Sequence, residues 1–512
     1  MEVLKAGGSA VDAAIAASAV LSVVYPHMAG VGGDALWLIY DHRHNRVRYL
    51  DGAGRAAADA TLDRLRALGC SEIPFRGIVP ATLTVPGAVA SWCEAHAEYG
   101  KLPLAADLAS AIGYAVDGFP VTERLAYWVT VTADQGAFNE DAARWLLPDG
   151  RAPQPHARLA NPGLARTLEA VADRGRAGFY GGDIARELCR FARRHGGFFL
   201  EADFHAQHAT WAEPLSGGYR GVTVYQTPPP TQGFTVLEMF NLIEPYGVGD
   251  WQFLGPDHVH FLVQAKQIAY HDRDTLLADP RFADVPLDRL LSAGYAAQRR
   301  GLINPEKAIP WHQVPSSESL AGDTVHVAVV DGEGNAVSLI HSLYGVFGSG
   351  VVAGDTGIVL QNRGAYFSLD PAHPNRLEPR KQPLHTLIAS LAFRGDRLWQ
   401  VFGCMGADGQ PQIHLQVYTA MVDFGLNIQQ AIEMPRWLSG RFALGEPRDL
   451  LNIEARYPDD TVAELERRGH VVNRWGPWNE YAGHATGITI DPTTDTRVGG
   501  ADPRSDGAAI GY

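Results

Sequence analysis

The chain has 512 residues, of which 46% are hydrophobic and 20% charged, with a formal net charge of −14. That balance is globular and excludes a disordered chain, and the net acidity excludes nucleic acid as the main partner, because phosphate binding needs clustered Lys and Arg. The most apolar run, 13–25, is broken by Ser18 and Ser22 and falls short of the roughly 18 residues a membrane helix needs, which excludes a membrane protein.

The chain opens on Glu2-Val3-Leu4-Lys5-Ala6-Gly7-Gly8 with no signal-peptide pattern. Ser9 is placed to cap a helix running up to Pro26, whose small apolar surface suits a place inside a core. Gly30-Val31-Gly32-Gly33-Asp34 follows, then strands over 35–40 and 47–51 joined by a polar turn, which reads as a hairpin. From 62 to 182, helical patterns alternate with Gly and Pro punctuation. A strand at 221–226 runs into Pro228-Pro229-Pro230, either a rigid polyproline loop or part of a site rim. A long helix starts at Pro256. After a polar loop at 314–323, strands over 324–330 and 336–343 flank the turn Asp331-Gly332-Glu333-Gly334-Asn335. A Gly-rich region, a hairpin around 391–402 and a helix near 413–424 complete the reading.

Cys70, Cys93, Cys189 and Cys404 form no CxxC pair or metal-ligand spacing. This predicts reduced thiols, at least three of them small buried hydrophobes, and a cytoplasmic protein. The chain begins in mid-motif, so a periplasmic or secreted location stays open if a leader precedes Met1.

Gly30-Val31-Gly32-Gly33 lies between a helix and a strand in that order, the reverse of a dinucleotide loop, in which glycines follow a strand and open a helix. The sequence holds no GxxxxGK[ST] loop, HExxH pair or GxSxG elbow. His258 and His260, two apart on a helix, point in different directions and read as structural. Neither a cofactor nor a metal is expected.

Thr324 remains, where an irregular loop meets a strand. Alone, a Thr at a strand start is unremarkable, and a neutral hydroxyl needs an adjacent base to act as a nucleophile. Cleavage of the Asp323–Thr324 bond supplies one. The freed α-amine, with a pKa of roughly 7.7–8.0, can take the proton of its own hydroxyl. Pairing across the hairpin brings Ser342 within a residue of register, where its hydroxyl can orient that of Thr324 or relay its proton.

These motifs resemble the γ-glutamyltranspeptidases, a family of N-terminal-nucleophile hydrolases. The resemblance runs through residues 4–14, the glycines at 30–33, Pro86-Gly87-Ala88-Val89, the three prolines, 324–335, Phe347-Gly348-Ser349-Gly350 and the tail at 500–507. It implies an α/β fold, a four-layer αββα sandwich, formed by one domain over 1–512. It also implies self-cleavage before the threonine into a large fragment, 1–323, and a small fragment, 324–512. These fragments would be each other's partners, with no nucleic acid or membrane involved; further assembly into a homo-oligomer stays open. Residue by residue, Thr324 matches the nucleophile and Ser342 its supporting hydroxyl. Gly406 and Ala407 match the paired glycines of an oxyanion hole, the alanine being a departure that disfavours positive φ.

The substrate positions depart further. Tyr366, in Leu360-Gln361-Asn362-Arg363-Gly364-Ala365-Tyr366, stands where the family has an acidic residue that binds an ammonium. His385-Thr386 replaces a Ser-Ser pair, Tyr344 replaces a small polar residue, and Arg55 is offset by about two positions from the family's carboxylate-binding arginine. Burying an ammonium with no anionic partner costs several kcal/mol, so an α-amino acid is disfavoured. Arg363 favours a carboxylate, unless it is a structural ion pair. The pattern resembles the oxamate amidohydrolase and cephalosporin acylase branch and implies hydrolysis of a small amide bearing a carboxylate, oxamate first. A γ-glutamyl hydrolase or transferase, a glutaryl acylase, and an unprocessed relative that binds without catalysis are the alternatives.

Overall fold

A computed structural model of the chain describes residues 1–77, 82–316, 322–442 and 446–512. The chain divides into two compact units, each built from two separate stretches. The first comprises Met1–Glu213 and Asp323–His385, the second Pro214–Gly322 and Thr386–Tyr512.

In the first unit a capping box starts the helix Ala10–Val24. The Ser9 hydroxyl accepts from the Asp12 N–H, and the Asp12 carboxylate accepts from the Ser9 N–H at 2.8 Å. Its face of Ala10, Val11, Ala14, Ile15 and Ala19 is buried in the unit's core, where small side chains let the helix lie close to the strands. The sheet runs, edge to edge, Thr210–Ala212, Arg46–Gly52, Asp34–Asp41, Ala336–Tyr344, Asp323–Val330, with every pairing antiparallel. Both expected hairpins are present. The Asp331 carboxylate, accepting from the N–H groups of Glu333 and Asn335, fixes the turn of the second.

The Gly30–Gly33 segment packs rather than binds. A Cβ on Gly32 would fall on the Val359 carbonyl oxygen, and one on Gly33 on that of Ser342. Only glycine lets the backbones approach this closely.

The second unit holds an antiparallel sheet in the order Arg497–Ala501, Ala485–Ile490, Arg397–Cys404, Ala389–Arg394, Val222–Gln226, Leu215–Tyr219. The helices Gly233–Ile243, Pro256–Leu276 and Gln410–Val422 share its separate core. A smaller sheet joins Trp437–Ser439, Leu450–Glu454 and Val471–Trp475. The tail read at 500–507 is held by buried charge. Asp502 pairs with Arg436 at 2.6 Å and with Arg504 at 3.0 Å, and Arg504 also donates to Glu454. His258 and His260 are buried, and His260 bonds His470 at 2.8 Å, consistent with structural roles.

Three sequence expectations change. Asp323 belongs to the strand rather than to the loop before it, and residues 317–321 of that loop lie outside the described residues. All four cysteines are free thiols, but only Cys189 and Cys404 are buried, while Cys70 and Cys93 are half-buried. The helix expected near 413–424 begins at Gln410, three residues before its apolar pattern, because Pro411 is tolerated in a first turn. Among the described residues, no helix is long and apolar enough to cross a membrane.

Candidate active site

Thr324 is the second residue of an edge strand and is 3% exposed. The register pairs Asp323 with Tyr344 and Val325 with His341, so Thr324 sits in a bulge facing Ser342 and Leu343. The extra residue is on the Ala336–Tyr344 strand, where two residues stand against Thr324, so the ladder is locally broken beside it.

Ser342 is buried, and its hydroxyl is fully committed. It accepts from the Tyr344 N–H at 2.8 Å and from the Arg363 guanidinium at 3.2 Å. Its own proton goes to the carbonyl oxygen of Asp323, 2.7 Å away. That carbonyl belongs to the peptide bond between Asp323 and Thr324. The hydroxyl read from sequence as a partner for Thr324 therefore holds the Asp323 carbonyl in the uncut chain.

Asp34, which sequence reasoning missed, pairs with Ser342 across the neighbouring strands. It is fully buried, and its Oδ1 accepts from the Gly54 N–H at 2.7 Å and the Gln361 amide at 2.9 Å. His385 Nε2 lies 3.0 Å from its Oδ2, and Arg363 Nε 4.0 Å away. Burial, reinforced by the Arg363 cation, holds the His385 imidazole neutral, its pKa down to about 4 despite the adjacent carboxylate. His385 thus acts here as a neutral hydrogen-bonding group. An Asp straight after the glycine run, at a strand start, was the available signal.

Arg363 lies among aromatic rings as well as charges. Its guanidinium carbon is 4.7 Å from the Tyr344 ring centre and 5.9 Å from that of Tyr366. The two tyrosine rings lie 4.5 Å apart, and Phe75 meets Tyr344 edge-on at 5.1 Å. Tyr344 takes a positive φ of 79°, which turns the chain out of the sheet. The structure thus brings together Thr324, Ser342, Arg363, Tyr344, Tyr366 and His385 in the first unit. Arg55 is half-buried in the turn after Arg46–Gly52, where its charge acts on Asp51.

Gly406, Ala407 and Thr386 belong to the second unit. Gly406 has φ 146° and Ala407 φ 44°, so the alanine adopts the conformation it disfavours. Its surroundings enforce this. Gln232, which follows the three prolines, donates to the carbonyls of Ala407 at 2.9 Å and Thr386 at 2.8 Å. Arg273 is buried, pairs with Asp408 and donates to the Gln232 side-chain oxygen at 2.6 Å, while the Tyr270 hydroxyl donates to the Asp408 carbonyl. The proline segment therefore leads into a residue that braces this turn. Gln232 and Arg273 carry no sequence signal, because their partners lie far along the chain.

Among the described residues, Asp12, His96 and Asp107 could together hold a metal, with donor atoms within 4.8 Å of one another. The Ser9 and Lys101 amides already engage Asp12, His96 lies 2.7 Å from the Leu102 carbonyl, and none of the three is among the residues placed around Thr324.

Comparison with known proteins agrees along the chain. The family profile described as gamma-glutamyltranspeptidase matches residues 1–512. The glutathione hydrolase-like YwrD proenzyme of Bacillus subtilis is 42% identical over 99% of this chain and 95% of its own length. The oxamate amidohydrolase proenzyme of Klebsiella pneumoniae is 38% identical over 100% and 96%. The solved cephalosporin acylase from Bacillus halodurans is 36% identical, with a TM-score of 0.88 over 100% of this chain and 93% of that one.

Proposed function

The chain belongs to the γ-glutamyltranspeptidase family, and on that premise we propose that it is a self-processing threonine amidohydrolase acting on a small amide that carries a carboxylate, oxamate first. Its α/β fold is that of the N-terminal-nucleophile hydrolases, and it is an amide hydrolase. The observation that supports the self-processing reading is the Ser342 hydroxyl on the Asp323 carbonyl, beside a buried Thr324 that faces the bulge.

Maturation follows from that arrangement. Ser342 withdraws charge from the Asp323 carbonyl and stabilises negative charge on its oxygen. The Thr324 hydroxyl attacks the carbonyl carbon, a C–O ester bond replaces the C–N bond, and the hydroxyl proton ends on the Thr324 nitrogen. Water then cleaves the ester, leaving a carboxylate on Asp323 and a free amine and hydroxyl on Thr324.

In turnover the Thr324 amine takes the hydroxyl proton, the oxygen attacks the substrate carbonyl, and the proton passes to the departing nitrogen. Water releases the acid from the acyl-enzyme. In this reading, the resemblance assigns the N–H groups of Gly406 and Ala407 to the oxyanion of turnover, and Tyr366, Tyr344, Arg363, His385, Thr386 and Arg55 to the substrate side. Tyr344 and Tyr366, their rings tilted against each other with Arg363 beside them, stand where an ammonium would need a carboxylate, which supports a substrate without an α-amine.

The names of the relatives favour a second reading, a γ-glutamyl or cephalosporin-type acyl substrate. Purified, cleaved protein assayed on oxamate, glutaryl-p-nitroanilide and γ-glutamyl-p-nitroanilide separates them, with Thr324→Ala as the blank. Oxamate hydrolysis without γ-glutamyl turnover is the expected result, and efficient γ-glutamyl turnover overturns the proposal.

A further inference from the structure

The two larger sheets each contain strands from either side of the Asp323–Thr324 bond, and the chain's own acyl group, Asp323, is held in the first of them before any substrate is bound. A second arginine, on which the sequence reading placed no weight, stands near it. The segment Phe75-Arg76-Gly77 is pinned at both ends. The Asn362 side chain donates to the Phe75 carbonyl at 2.6 Å, and the Gly77 N–H donates to the Ser349 carbonyl at 3.2 Å. The Phe75 ring meets Tyr344, the residue paired with Asp323 across the hairpin. Arg76 is thereby held at the Asp323 end of the strands.

Its guanidinium differs from that of Arg363. Arg363 is wholly buried and bonded to Ser342, with Asp34 and two tyrosine rings around it. Arg76 is half-buried, and its Nη1 is shielded from solvent without a hydrogen-bond partner among the described residues. Burial works against the charge of the Arg76 guanidinium, and the nearby Asp323 carboxylate acts in its favour. A desolvated guanidinium edge with no acceptor is costly, and a carboxylate placed there relieves the cost with paired, charge-assisted bonds.

We propose that Arg76 binds the carboxylate of the substrate's acyl half, on the side of the site near which the Asp323 carboxylate stands before cleavage. This rests on the amidohydrolase reading and narrows its substrate to the monoamide of a short dicarboxylic acid. The acyl group of Asp323 carries its carboxylate two carbons from the scissile carbonyl, the spacing of succinamate, and oxamate is the shortest member of the series. Arg76 also neutralises a negative charge next to the carbonyl that turns anionic in both reactions.

Two experiments test this on the full-length chain. In the first, self-cleavage is timed for wild type, Arg76→Gln, Asp323→Asn and the double variant. Arg76→Gln should slow cleavage about tenfold with Asp323 present and less than about twofold in the Asp323→Asn background, a coupling that a merely structural role does not produce. In the second, cleaved enzymes are compared on succinamate and oxamate against the uncharged butyramide and oxamide. Arg76→Gln should lower kcat/KM for the charged amides about 100-fold, leave the neutral ones within about threefold, and be partly rescued by Arg76→Lys. Equal effects of Arg76→Gln on cleavage in both backgrounds, or an unchanged preference for charged amides, overturns the proposal. If the wild type cleaves none of these amides, the substrate reading fails by itself. Succinate binding to the cleaved protein, read as a thermal shift, then decides for Arg76 if the shift is lost in Arg76→Gln and against it if the shift persists.

Discussion

The Ser342 hydroxyl donates to the main-chain carbonyl of Asp323 at 2.7 Å, while two N–H donors occupy its lone pairs. A hydroxyl held this way cannot rotate its proton elsewhere without losing a bond, so it is preorganised as an oxyanion donor for the chain's own cleavage. Ser342→Ala should slow self-cleavage by about 10²–10³-fold, the usual effect of deleting one such donor. Ser342→Thr, which keeps the hydroxyl, should cleave within about tenfold of wild type. A time course of precursor on denaturing gels reads this, and an unchanged rate in Ser342→Ala contradicts the assignment.

Cleavage should not release the fragments. The strand Asp34–Asp41 lies between Arg46–Gly52 of the large fragment and Ala336–Tyr344 of the small one. In the other sheet, Val222–Gln226 pairs with Ala389–Arg394 across the same divide. Each unit therefore buries core contributed by both fragments. Size-exclusion chromatography should give one particle that separates only in denaturant, and native fragments eluting apart would contradict the topology.

Ala407 holds φ 44°, which costs an alanine roughly 1–2 kcal/mol relative to glycine. Ala407→Gly relieves that strain but adds freedom to the unfolded chain, so the net change should lie between zero and about 1 kcal/mol of stabilisation. Ala407→Val adds β-branching at a positive φ and should destabilise by more than about 1 kcal/mol. Denaturant melts of the three proteins check the order Gly, Ala, Val.

The tail network makes a larger effect. Asp502 is fully buried between Arg436 and Arg504. Asp502→Asn leaves two buried cations with less compensation and should cost about 3–5 kcal/mol. A loss of less than about 1 kcal/mol in the unfolding free energy from urea melts would show that the network is better solvated than its burial indicates.

Acid should destabilise the fold through its histidines. Burial holds His341 and His385 down to about 4, and His258, His326 and His470 down to about 3. In the unfolded chain these groups bind protons near pH 6.5, so below that value the unfolded state binds more protons and stability falls toward the folded pKa values. Four carboxylates act in the opposite direction, because burial pushes Asp51 up to about 6 and Asp107 up to about 8 and also raises Glu238 and Asp423. The share of stability that comes from these histidines should therefore be fully present above pH 6.5 and decline toward pH 4, with the four carboxylates offsetting part of the loss. His385→Gln should reduce the slope by up to about 1.4 kcal/mol per pH unit. A slope in His385→Gln equal to that of the wild type between pH 6.5 and 4 would contradict the buried, neutral state of that ring.

Much of the architecture was legible because it is local. The Ser9 capping box, both hairpins and the Pro-initiated helix are written in consecutive residues. The hairpin register alone placed Ser342 opposite Thr324. What the sequence did not disclose depends on residues far apart in the chain. Asp34 meets Gln361, Arg363 and His385 only after more than three hundred residues have folded back. The bracing of Ala407 by Gln232, and of Asp408 by Arg273, is equally remote. Arg363, read as a free carboxylate binder or an internal ion pair, has internal partners in Ser342 and Asp34. A charged residue in a loop pattern carries no mark of the burial that decides between those roles.

In the proposed mechanism, Thr324 becomes an amino terminus before it becomes a nucleophile. Intact-mass spectrometry with amino-terminal sequencing of active protein tests it directly. Two chains are expected, residues 1–323 and a second beginning at Thr324, with amidase activity appearing in step with the second chain. A fully active protein in which the Asp323–Thr324 bond is still whole would contradict it.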